Sequence, residues 1–180
     1  MKSRVSDLGT PSSVEKEDES CGEAQTRRLT ILVFNGDFDR VTAALMVATG
    51  AAASGFQVSV YFSFWGVLAL KQKNLYRGKS MLEKLMTAIM PSGIAGLRTS
   101  RMNFCGAGPH LFGHLMRQKN MPSPSELLSL ASELGVQLVV CPASMEVMGI
   151  TAEELIPGVE VGGVASFVCQ ASQSAASLVF

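Results

Sequence analysis

The chain has no lysine or arginine after Lys119 and no charged residue of either sign from Val41 to Leu70. It contains no Cys-x-x-Cys pair, no internal repeat and no apolar leader at its start. Each absence removes a class of protein. Four cysteines (Cys21, Cys105, Cys141 and Cys169) without framework spacing exclude a disulfide-built scaffold. Residues 1–28 mix Ser, Glu, Asp, Lys and Arg without a hydrophobic segment, so they read as a disordered tail, not a secretory signal. Free thiols with no signal point to a reducing cytoplasm. Fifteen basic and fifteen acidic residues cancel, which removes any general attraction to nucleic acid.

The uncharged run from Val41 to Leu70 is long enough to span a bilayer. Ser54-Gly55-Phe56-Gln57 breaks it, however, into a helix too short to cross comfortably and an alternating strand. Two buried elements of one α/β core account for the same residues, so membrane association is not favoured. The rest of the charge is segregated. Lys71, Lys73, Arg77, Lys79, Lys84, Arg98, Arg101, Arg117 and Lys119 face only Glu83 in the middle of the chain. That segment is either a solvated basic surface or an attractor for an anion or an acidic partner.

Residues 29–180 are read as one domain. Leu29–Phe34 and Val58–Phe62 are strands flanking a helix from about Phe38 to Ser54, with Asp37 as its cap. Short helices are expected at Gly66–Lys73 and Lys79–Met90, then a helix from Pro109 to Lys119. Ser123-Pro124-Ser125-Glu126 is a capping box that opens a helix to Leu134. Val136–Val140 is a buried strand. Thr151-Ala152-Glu153-Glu154 is a second capping box, opening a short helix that stops near Pro157-Gly158. A short strand near Val159–Val161, a helix over Gly163–Ala171 and a strand over Ala175–Phe180 complete the chain. Alternation of this kind implies an α/β three-layer sandwich with a mainly parallel sheet of about five strands.

Cys141 lies where the strand Val136–Val140 gives way to Pro142-Ala143-Ser144, a helix start with proline in its first turn. A thiol there sits at the carboxyl edge of a sheet beside helical N–H groups that favour a thiolate. Ser144 could add a hydroxyl donor. The competing reading is a buried structural cysteine. Cys105 is the second candidate: it precedes Gly106-Ala107-Gly108-Pro109, whose bare N–H groups could form an anion-binding nest. Arg101, in the same basic stretch, joins Ser144, Gly106 and Gly108 as a candidate substrate-binding residue. Gly106, Gly108 and Gly113 do not make a dinucleotide fingerprint. His110 and His114 share a helix face, but no carboxylate stands near them, so no metal is expected. No cofactor is expected either.

Several segments in order resemble the DsrE/DsrF-like sulfur-relay proteins, in the branch also labelled peroxiredoxin-like. They are Phe38-Asp39-Arg40 with Ala43-Ala44-Leu45, Phe62-Ser63-Phe64-Trp65-Gly66, Arg101-Met102-Asn103 with Gly106-Ala107-Gly108, Cys141 through Gly149, and Gly158-Val159-Glu160 with Gly162-Gly163-Val164. The resemblance implies a parallel sheet between helices, assembly into homo-oligomers, and a cysteine that accepts sulfane sulfur as a persulfide; Cys141 matches that cysteine. Pro142 and Ala143 depart from the family's usual polar residues or Met. The expected function is a persulfide carrier or sulfurtransferase, with Cys141 and Cys105 as the candidate reacting thiols. Its expected partner is a small acidic sulfur-carrier protein or a rhodanese-like donor. The alternative is a non-catalytic oligomeric scaffold in a redox or membrane-associated complex. A thiol peroxidase lacks the expected thioredoxin-like pattern.

Overall fold

Strand β1 (Arg28–Val33) places Leu29, Ile31 and Val33 on one face, all buried. The computed structural model describes residues 27–101 and 107–180. Of the predicted tail 1–28, residues 1–26 with Cys21 lie outside the described residues, as do Cys105 and Gly106, while Arg28 already belongs to β1. Helix α1 (Phe38–Ala53) follows β1 and returns the chain to β2 (Gln57–Phe62), which pairs parallel to β1 from Arg28↔Gln57 to Val33↔Phe62. Gly55, at φ 84°, ends the α1 turn as a residue without Cβ can. The later elements are α2 (Met81–Ile89), α3 (Ala107–Gln118), α4 (Pro124–Glu133), β3 (Gln137–Val140), α5 (Pro142–Met148), β4 (Glu160–Val161), α6 (Val164–Ser172) and β5 (Ala176–Val179).

The five strands run parallel in the order β4-β3-β2-β1-β5. One face of the sheet is apolar. Ile31, Val33, Val60, Phe62, Leu138 and Val140 bury there with Val41, Ala44, Leu45 and Ala48 of α1 and Leu127 and Ala131 of α4. The other face is mixed, because β2 alternates Gln57-Val58-Ser59-Val60-Tyr61. Helix α6 covers it through Tyr61, whose ring meets Phe167 edge-on at 5.2 Å and whose hydroxyl pairs with Ser166 Oγ at 3.1 Å. This is the expected three-layer arrangement.

Local expectations need four corrections. The helix expected over Gly66–Lys73 is a 3₁₀ turn over Phe64–Leu70, buried from Gly66 onward. The Thr151 box forms, but it opens only a 3₁₀ turn, Ala152–Glu154. Asp37 occupies the cap position of α1 without capping; its carboxylate instead pairs with Arg40 at 3.5 Å. Helix α2 starts after a Ser80–Glu83 capping box, not at Lys79. Among the described residues no helix is long and apolar enough to cross a membrane.

The basic segment is also not one uniform surface. Lys71 and Lys79 are buried around Glu154, itself fully enclosed. Lys79 Nζ donates to Glu154 Oε2 at 2.6 Å and to Thr87 Oγ1 at 3.1 Å. Lys71 Nζ stands 3.6 Å from Glu154 Oε1 and makes no hydrogen bond among the described residues. The backbone N–H groups of Leu75 and Thr151 complete the carboxylate's shell, each at 2.9 Å. The cluster staples the Lys71–Lys79 segment to the 3₁₀ turn after α5.

Candidate functional site

In parallel pairing, Phe62 stands opposite Val140, so the next residues of the two strands, Ser63 and Cys141, leave the sheet side by side. The Cys141 N–H donates to Phe62 O at 2.9 Å, which extends the ladder by one rung. Cys141 then caps α5, and Pro142 fixes the first helical residue. Strand alternation puts Ser59, Tyr61 and Ser63 on the same side as Gln137, Val139 and Cys141. This is the mixed face, not the hydrocarbon one.

The hydroxyls there are held in place. Ser144, buried in the first turn of α5, accepts the Phe64 N–H at 2.9 Å and shares a hydrogen bond with Ser63 Oγ at 3.0 Å. Ser144 Oγ uses one of its two lone pairs on the Phe64 N–H, and its one proton can go to Ser63 or to the sulfur. Phe64 adopts φ 44°, a left-handed backbone uncommon for a bulky residue. Strain of this kind gathers where surrounding contacts hold it, and here it sets the turn that carries Ser63.

Burial alone pushes the Cys141 thiol up, since only 8% of the residue is open. The Ser144 hydroxyl, the N–H groups of Ser144 and Ala143, and the Ser63 hydroxyl outweigh that effect and hold the thiol below its ordinary value. Cys141 forms no side-chain capping bond. These groups are therefore donors available to a thiolate, not a fixed cap on the thiol. A thiol lowered in this way has more thiolate at neutral pH than an ordinary cysteine.

The other predicted residues fall elsewhere. Arg101 and Gly108 line one cleft of about 410 Å³ with Asp39, Leu111 and Phe112, and Cys141 is not among its lining. Asp39 begins α1 as expected, yet its carboxylate accepts from Ser100, at 2.9 Å from the N–H and 2.6 Å from the hydroxyl. Cys105 and Gly106 lie outside the described residues. His110 and His114 are exposed on α3, where His114 Nε2 meets Gln118 at 3.1 Å. Cys169 is an exposed free thiol on α6. Sequence reasoning missed Ser63. Its signal was there, a hydroxyl residue at a strand exit, but only the β2–β3 register makes it a neighbour of Cys141.

Residues 25–179 match the model of the DsrE/DsrF/DrsH-like family. The Bacillus subtilis (strain 168) protein YrkE is 36% identical over 155 residues, spanning 86% of this chain and 97% of that protein. The sulfur carrier protein DsrE2 of Allochromatium vinosum is 28% identical over 156 residues, spanning 83% and 96%. Among solved structures, MTH1491 from Methanobacterium thermoautotrophicum superposes with a TM-score of 0.54 at 15% identity, covering 86% of this chain and 99% of that one. That likeness concerns the fold. The five-stranded parallel sheet, the thiol at its rim and a match over nearly all the described residues converge on one assignment: the chain belongs to the DsrE/DsrF/DrsH-like family.

Proposed function

We propose that this protein carries sulfur as a persulfide on Cys141, taking it from one donor and passing it to another thiol. The observation that carries this reading is the place of Cys141 at the start of α5, beside the hydrogen-bonded Ser63–Ser144 pair; hydroxyls and N–H groups there hold the thiol below its ordinary value. Relatedness to a named sulfur carrier supports it. In loading, the Cys141 thiolate attacks the outer sulfur of a persulfide or of thiosulfate. The donor's sulfur–sulfur bond breaks as a new one forms at Cys141, and the donor leaves as a thiolate or as sulfite. The sulfur moves at its own oxidation level, so no oxidant or reductant is required. In unloading, an acceptor thiolate attacks that outer sulfur and Cys141 departs as the thiolate. Ser144 and Ser63 hold charge on the terminal sulfur in both directions.

Cys105, with Gly106, Gly108 and Arg101, stays in the proposal as a relay thiol and an anion-holding loop. The exposed cations Lys73, Arg77 and Lys84 favour a small acidic carrier protein or a rhodanese-like donor as partner. The cytoplasm is the compartment in which such thiols stay reduced.

A second reading, a non-catalytic scaffold, draws on one observation: Met81, Leu82, Leu85 and Ile89 form an exposed apolar stripe on α2. Intact-mass measurement after incubation with thiosulfate or polysulfide separates the two. A carrier gains the mass of one sulfur atom, and Cys141→Ser does not. A protein that takes up no sulfur from either donor is a scaffold, and the carrier reading then fails.

A further inference from the structure

The turns that follow β1 and β2 meet over a cleft of about 370 Å³ at the carboxyl edge of the sheet. Open parallel sheets bind ligands at this edge, and the size suits a small molecule. Trp65, Leu68, Met86 and Met90 give the cleft an apolar, polarisable lining, and Asn35, Asp37 and Arg98 add polar groups. The architecture depends on Gly36, where a Cβ would come within 2.6 Å of the Trp65 carbonyl oxygen. Only glycine lets the two turns close up and set the indole at the edge.

The charges in the cleft are unevenly answered. Asp37 is offset by Arg40 at 3.5 Å. The Arg98 backbone is anchored, its carbonyl accepting the Phe38 N–H at 2.8 Å. Among the described residues, however, no carboxylate forms an ion pair with its guanidinium. Trp65 remains 52% exposed and Ile89, also in the lining, 65% exposed. A guanidinium with no ion-paired carboxylate among the described residues, beside a half-open indole and two thioethers, is a recognition surface with two parts.

We propose that this cleft binds a small organic anion, a carboxylate or sulfonate borne on a flat apolar body. The body lies against Trp65 and the methionine side chains, and the anionic group meets Arg98. The site is separate from the sulfur chemistry and does not rest on it: none of its lining residues donates to Cys141.

Trp65 is the only tryptophan in the chain, so its fluorescence reports the cleft directly. Nitrobenzenesulfonate added to the full chain should quench Trp65 saturably. Arg98→Gln should weaken that binding by about fivefold or more, as loss of a charge-assisted contact does. Ile89→Glu, at an exposed position, should weaken it by repulsion. The uncharged nitrobenzenesulfonamide should be indifferent to Arg98→Gln, and Cys141→Ser should bind the sulfonate like wild type. Absence of saturable quenching up to millimolar sulfonate overturns the proposal. So does unchanged sulfonate affinity in both Arg98→Gln and Ile89→Glu.

Discussion

Ser144 is the side chain on which the behaviour of Cys141 turns most. It accepts from Phe64, exchanges a hydrogen bond with Ser63 and is a donor beside the sulfur. Ser144→Ala should therefore slow alkylation of Cys141 several-fold at neutral pH and move its pH profile upward, as followed by peptide-resolved mass spectrometry. Glu154 carries the other concentration of charge. Burial pushes its carboxyl up, but the Leu75 N–H, Lys79, the Thr151 N–H and Lys71 bring it below the ordinary 4.5. Its stabilisation is therefore complete above pH 4.5 and is lost as the pH falls through the lower folded value. Glu154→Gln strands two buried ammonium groups and should cost about 3–5 kcal/mol in urea unfolding at neutral pH. Lys71→Met removes the cation that has no hydrogen bond, so it should stay within about 1 kcal/mol of wild type or exceed it. Cys141 and Ser144 were legible in the sequence because strand, proline and helix start are all local signals. The Glu154 cluster was not. A capping box already explained that glutamate, and no spacing rule joins Lys71 and Lys79 to a carboxylate so far along the chain.

Elements with strong local signals appear where expected. The capping box Ser123–Glu126 opens α4, Pro142 opens α5, and the β-branched runs of β1, β2 and β3 form the sheet centre. The segment after β2 was misread because Phe64–Leu70 has the apolar composition of a helix but is drawn into a tighter 3₁₀ turn by tertiary contacts. Gly66 is one of those contacts: its N–H donates to Phe34 O at 3.2 Å, and an added Cβ would run into the Val33 carbonyl. Gly66→Ala should destabilise the protein by about 1–3 kcal/mol. It should also lower Cys141 reactivity, because the same turn carries Ser63 and Phe64. Thermal unfolding together with alkylation rates checks both effects. A variant with wild-type stability and reactivity would show that this close approach does not set the turn.

One region of the assembled fold remains thinly covered. No residue of α6 or β5 is fully buried, and Val164, Val168 and Val179 are all more than half exposed. Parallel sheets are ordinarily enclosed on both faces. We expect further copies of the chain to cover α6 and β5. Sedimentation should give a mass that is a multiple of the single chain, and the double variant Val164→Glu with Val179→Lys should shift it toward one chain. A wild-type protein that sediments as a monomer at high concentration would refute the assembly. The layer order and strand direction were readable from the alternation of elements. The order β4-β3-β2-β1-β5 was not, because strand adjacency is decided by crossovers and not by any local pattern.

The proposed chemistry requires a thiol ionised by its neighbours, and the pH dependence of Cys141 alkylation in the native protein measures that directly. The rate should reach half its maximum below the ordinary thiol value of 9.0 and reach its plateau correspondingly early. A half-maximum at or above that value would mean that burial wins over the hydroxyl and N–H donors, and Cys141 would then be a structural cysteine.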